Sequence, residues 1–231
     1  MINQNNKIRI GMVLFPNLTQ LDLTGPYAVL GNAPNVQLDL LWHRLEPVHD
    51  ATGFVLTPTK TFESCGALDV LFVPGGPGQL EAMEDQLLVN FVRQAAVNAR
   101  YITSVCTGSF LLGAAVLLKG KLATSHWMVV DQLKHLGATP IHDRVVEDGN
   151  VITGAGVTSG IDFGLILAAK LFGEETAKCM QLGMEYDPAP PFNSGSISTA
   201  SNETIATMVE RGKDLTATRL EAVKRVGQSL R

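Results

Sequence analysis

Cysteine is scarce in this chain, and the little there is argues against a disulfide framework. Cys65, Cys106 and Cys179 are an odd number at wide spacing with no secretion signal ahead of them, so reduced thiols are expected. Long hydrophobic runs are missing too: none reaches the roughly 18 residues of a membrane span. Met1 to Lys7 is a polar leader with no hydrophobic signal region behind it, and the expected location is cytoplasmic. Positive charge is not in surplus. With 18 Lys and Arg against 22 Asp and Glu, a net charge of −4 leaves no basic footprint for nucleic acid or an anionic membrane surface. The histidines at 43, 49, 126, 135 and 142 form no pair at metal-ligand spacing, so no metal site is expected. Internal repeats and low-complexity tracts are absent as well.

What remains is an apolar chain in which strand-like and helix-like stretches alternate. At 231 residues with 45% hydrophobic content it can bury a large core, and a single α/β domain with a terminal extension is expected. Its organising stretch is Arg100 to Gly113. Tyr101 to Val105 is β-prone, Ser109 to Leu118 reads as an apolar helix, and Cys106-Thr107-Gly108 lies at the corner between them. A nucleophile at such a corner is held in a strained turn at the carboxyl end of a sheet. The positive end of the following helix then favours thiolate over thiol. The competing reading makes Cys106 a small core hydrophobe.

Lys7 to Phe15 reads as the first strand, near-continuously apolar because both of its faces are covered. Asp22 follows, ahead of a short helix expected to open at Pro26. It is either a helix-capping carboxylate or a general acid/base beside the nucleophile. Val36 to Trp42 is a second strand, and Pro47 to Thr61 a hairpin or edge pair. Asp69 to Val73 is a third buried strand, ended by Pro74-Gly75-Gly76-Pro77-Gly78. Glycines there let backbone amides approach a ligand, as an oxyanion-binding loop requires, or simply make a tight surface turn.

Gln86 to Asn98 is an amphipathic helix with Leu87, Leu88, Phe91, Val92 and Ala95 on one face. Gly120 to Trp127 is a short strand running into a helix and carries His126, a structural hydrogen-bonder more often than a catalyst. Arg144 to Thr153 is a hairpin turning at Asp148-Gly149-Asn150. The Gly154 to Gly160 tract has the wrong spacing for a dinucleotide loop, and nucleotide binding is rejected. Ile161 to Phe172 and Glu174 to Tyr186 read as helices, Asp187 to Ser201 as an irregular segment. Asn202 to Leu230 is helical, with Ile205, Val209, Leu220, Val223 and Val226 forming a stripe that packs on its own domain or on a second subunit.

The alternation implies a doubly wound α/β sandwich with a mostly parallel central sheet and its site at the carboxyl ends of the strands. Thr19 to Pro26, Val73 to Gly76, Ser104 to Ser109, Ala123 to Trp127 and Leu182 to Asn193 resemble the ThiJ/PfpI superfamily. The Asp22 segment together with the Pro188 to Asn193 tail resembles its isocyanide hydratase branch. That resemblance implies a flavodoxin-like homodimer needing neither cofactor nor metal. It would act on a small-molecule isocyanide as a hydro-lyase, adding water to give an N-substituted formamide through a covalent cysteine thioimidate. Cys106 matches the nucleophile, Asp22 the acid/base group and Thr107 the site-lining residue after the nucleophile. Gly76 occupies the facing loop, and Gly75, Thr107, His126, Gly156 and Val157 join it as substrate or oxyanion-binding residues. Many relatives carry glutamate where this chain has Asp22, and some use a histidine base where His126 falls.

Residues 1–201 are expected to form the α/β unit and residues 202–231 a helical extension packed on it. Two other functions compete. One is a glyoxalase- or deglycase-like enzyme using the same cysteine against methylglyoxal. The other is the ligand-sensing domain of an AraC-type transcription regulator, for which the roughly 30 residues after Ser201 are too few to build a helix-turn-helix module.

Overall fold

The apolar runs become the buried middle of one sheet in the computed structural model, which describes residues 7–230. Met1 to Asn6 of the polar leader lies outside the described residues. The strands are β1 (Ile8–Val13), β2 (Val36–Trp42), β3 (Val48–His49), β4 (Val55–Leu56), β5 (Lys60–Thr61) and β6 (Val70–Val73). They continue as β7 (Tyr101–Val105), β8 (Leu122–Ala123), β9 (Thr139–Pro140), β10 (Val145–Asp148) and β11 (Val151–Gly154). The helices are α1 (Gln20–Leu30), α2 (Gln79–Ala82), α3 (Gln86–Ala96), α4 (Gly108–Ala114), α5 (Ser159–Phe172), α6 (Glu174–Gly183) and α7 (Asn202–Ser229). A 3-10 helix covers Val130–Leu136.

The main sheet has the order β10-β11-β7-β6-β1-β2-β5, parallel throughout except for β10, which returns antiparallel to β11. Helix α5 packs on α1 and on α6. Helix α4 packs on α2, α3, α7 and the 3-10 helix. Two helical layers around a mostly parallel sheet are the flavodoxin-like sandwich, and they explain why all of Val70–Val73 is buried. Successive connections leave β1 toward β2 on one side and return to β6 on the other. The crevice for a ligand therefore opens at the carboxyl ends of β1 and β6. Among the described residues no helix is long and apolar enough to cross a membrane.

Several expected element boundaries are corrected. Helix α1 starts at Gln20, so Pro26 lies inside it and Asp22 in its first turn. Pro26 has no N–H to offer the Asp22 carbonyl, and this side of α1 faces α5. A Cβ on Gly160 would lie 2.9 Å from Pro26 Cδ, and one on Gly164 3.1 Å from Val29 Cβ. The last glycine of the Gly154 to Gly160 tract thus serves close helix packing. Helix α4 ends at Ala114, short of Leu118, because the chain turns at Val116, whose φ is 65°. On α3, Leu87 is 69% exposed and Val89 takes its place in the core. A 3-10 helix replaces the helix expected directly after His126.

The stripe of α7 also divides. Its carboxyl half buries Arg219, Ala222, Val223 and Gly227 against the 3-10 helix and α4, while Met208 and Val209 remain exposed.

Candidate active site

Segments leaving the carboxyl ends of β1, β6 and β7 bring Asp22, Gly75-Gly76 and Cys106-Thr107 together. Cys106 has φ 56°, a left-handed conformation that costs a non-glycine residue about 1–3 kcal/mol. The surroundings fix it. Its amide donates to the carbonyls of Gly154 (3.0 Å) and Ala155 (2.7 Å). Its carbonyl accepts from the hydroxyls of Ser125 (2.9 Å) and Ser109 (3.2 Å). The elbow is thereby tied to β11 and to the segment after β8.

The double glycine faces this elbow. Gly75 N–H donates to Asp22 Oδ2 at 2.9 Å, and Gly76 N–H to Thr107 Oγ1 at 2.9 Å. A Cβ on Gly75 would fall 2.5 Å from the Thr107 nitrogen and 2.8 Å from Asp22 Oδ2, so only glycine fits. Gly76 needs its φ of 140°. These bonds change the expected roles. The Gly76 amide is already committed to the Thr107 hydroxyl, so it is not the free oxyanion donor anticipated for it. The Thr107 N–H, by contrast, favours the ionised Cys106 sulfur.

Burial dominates the electrostatics. Asp22 is fully buried, and desolvation pushes its pKa up to about 7 against the opposing hydrogen bond from Gly75 and the contact with the Cys106 thiol. Its Oδ1 accepts no hydrogen bond. Burial first, and then the charge of Asp22, push the Cys106 thiol well above the ordinary cysteine range. The expectation that the helix end favours thiolate is therefore corrected: α4 is only seven residues long, and desolvation outweighs it. His126 is held toward its neutral form by burial and then by the positive charge of Arg219. Its Nδ1 accepts from Met128 N–H at 3.4 Å, and among the described residues it hydrogen-bonds neither Cys106 nor a carboxylate.

A cavity of about 200 Å³ opens in front of the sulfur, where Cys106, Thr107, Gly76, His126 and Val157 meet Leu215, Thr216 and Arg219 of α7. Gly75 and Asp22 stand behind this wall. Gly156 lines a neighbouring cavity of about 370 Å³ that shares His126 and Val157 with the first. A larger depression bounded by Trp42, His43 and Phe91 includes none of these residues. Sequence reasoning missed Ser109, Ser125 and the α7 residues. The signal for Arg219 was its place at helical spacing from Thr216, Val223 and Val226, a charge on an apolar stripe. Among the described residues no three His, Cys, Asp or Glu side chains gather as metal ligands.

A doubly wound sheet with a strained cysteine at the strand-to-helix corner defines a nucleophile-elbow α/β protein. The model of the DJ-1/PfpI family matches residues 8–170, and the chain belongs to that family. Over 223 residues it is 52% identical to the isonitrile hydratase of Pseudomonas putida, covering 96% of this chain and 98% of that protein. The crystal structure of a ThiJ/PfpI family protein from Pseudomonas syringae matches with a TM-score of 0.92 at 42% identity, covering 96% of this chain and 91% of that one. The HTH-type transcriptional regulator CdhR of Pseudomonas aeruginosa is 30% identical over 172 residues, 71% of this chain but only 51% of that protein.

Proposed function

We propose that the chain is an isocyanide hydratase in which Cys106 is the nucleophile and Asp22 the proton carrier. The observation that carries this is the buried Cys106–Asp22 contact beside a cavity, in a chain 52% identical to an isonitrile hydratase over nearly its whole length. An isocyanide carbon accepts a nucleophile and then needs a proton, and this pair holds both. The Cys106 thiolate bonds to that carbon while Asp22 gives its proton to it, leaving a thioimidate on the enzyme. Asp22, now ionised, takes one proton from a water whose oxygen bonds to the imidate carbon. The other proton of that water goes to nitrogen as the C–S bond breaks. The N-substituted formamide leaves, and thiolate and protonated Asp22 are restored.

Thr107 N–H steadies the sulfur at both ends of this cycle, and the Thr107 hydroxyl holds the Gly76 loop in place. A donor of that kind contributes about 3 kcal/mol where it meets developing charge. His126, Val157 and Gly156 shape the space for the substituent on nitrogen. The proposal includes a cytoplasmic homodimer and treats residues 202–231 as an extension of the 1–201 unit that completes the cavity wall. It is tested by assaying formamide formation from an alkyl isocyanide beside lactate formation from methylglyoxal. Formamide without lactate is expected; lactate alone contradicts it.

A further inference from the structure

Arg219 is 5% exposed, an unusual place for a guanidinium. It reaches the nucleophile's cavity from α7, more than a hundred residues along the chain from Cys106. Its Nε donates to Gln79 Oε1 of α2 at 2.8 Å, which aims the rest of the group. Among the described residues it forms no ion pair with a carboxylate. A buried cation without an acidic partner is costly unless some other anion answers it. The group whose charge favours its protonated form is Cys106, and Arg219 in turn favours the ionised sulfur.

We propose that Arg219 is a positioning residue whose fixed positive charge, aimed by Gln79 into the cavity of Cys106, stabilises the anionic sulfur against its burial for attack and again when formamide departs. Every group facing the sulfur is accounted for. Asp22 of α1 opposes ionisation by its charge, Thr107 N–H favours it, and His126 after β8 is held toward neutral. Arg219 supplies the full positive charge among them. Facing Arg219 are the uncharged Gln79, His126 and the sulfur itself. A guanidinium suits this task because it stays protonated even when desolvated. The inference rests on Cys106 being the nucleophile, but its test reads the sulfur directly and does not depend on turnover.

The experiment is the pH profile of iodoacetamide alkylation at Cys106, read by peptide-resolved mass spectrometry so that Cys65 and Cys179 are scored separately. Wild type is compared with Arg219→Lys, Arg219→Met and Gln79→Glu. Gln79→Glu gives Arg219 a competing carboxylate and loses no hydrogen bond, since Gln79 Nε2 has no partner. In Arg219→Met and Gln79→Glu the midpoint should move up by about one pH unit, slowing alkylation at pH 7 about tenfold, while Arg219→Lys, whose ammonium loses its proton more readily on burial, should move less than Arg219→Met. A midpoint in Arg219→Met that coincides with wild type overturns the inference. Should Arg219→Met not fold, an unmoved midpoint in folded Gln79→Glu overturns it equally. If the midpoints move but wild type hydrates no isocyanide, the functional proposal falls and the role of Arg219 stands.

Discussion

At Cys106 two demands oppose each other: a reactive sulfur should ionise, while a sulfur excluded from water resists doing so. Asp22 resolves the conflict because it is buried for the same reason and keeps its proton up to about pH 7. The pair titrates as a unit. Fully protonated, it has no thiolate; after losing one proton it can hold the anion on sulfur and the acid on Asp22, which is the form that reacts. We therefore expect kcat/KM for an isocyanide to rise as pH increases through about 7. A flat profile from pH 5.5 to 8.5 would contradict the coupling. Asp22→Asn should lose that limb together with turnover.

Asp22 also weighs on stability. Its folded pKa is raised from 3.8 to about 7, so its contribution is complete below the unfolded value and is lost as pH rises to the folded one. The loss is on the order of 4 kcal/mol. Asp22→Asn keeps an oxygen for Gly75 N–H and cannot ionise. Thermal melts should show it more stable than wild type at pH 8, with the advantage gone near pH 3.5. The nearness of Cys106 and Asp22 was legible in the sequence because Cys106 directly follows one apolar strand and Asp22 lies on the segment leaving another. Their ionisation was not, since desolvation depends on neighbours far along the chain.

Among elements, two strands were read closely: Val36 to Trp42 and Tyr101 to Val105, the second leading into Cys106, have the same limits in the structure. The helix carrying Asp22 was misplaced because Pro26 was taken as a first-turn residue, whereas facing glycines on α5 let α1 accept a proline in its middle. Helix α7 was readable as a helix, but not its return over the sulfur. That return depends on Gly227, where a Cβ would collide with the His135 carbonyl of the 3-10 helix. Gly227→Ala should lift α7, costing about 1–3 kcal/mol of stability as overpacked contacts do. KM should rise as well, because Leu215, Thr216 and Arg219 form the far wall of the cavity. Thermal denaturation and substrate saturation check the two effects; an unchanged melting temperature and KM would show that α7 does not seal the site.

For the whole molecule, the alternation of strands and helices was enough to place the site at the carboxyl ends of a mostly parallel sheet. Strand order and the second wall of the cavity were not, because periodicity records which face of an element is apolar and not what will cover it. The sheet supplies Asp22, the double glycine and Cys106 from neighbouring strand ends. The last helix then closes the space in front of them. The proposed catalysis requires a covalent intermediate on a single sulfur. The direct measurement is intact-mass spectrometry of enzyme quenched in acid during turnover of an alkyl isocyanide. The account predicts an adduct equal in mass to one isocyanide, mapped to Cys106 and absent from Cys65 and Cys179. Full formamide production by Cys106→Ser, with no adduct on the wild type, would contradict it.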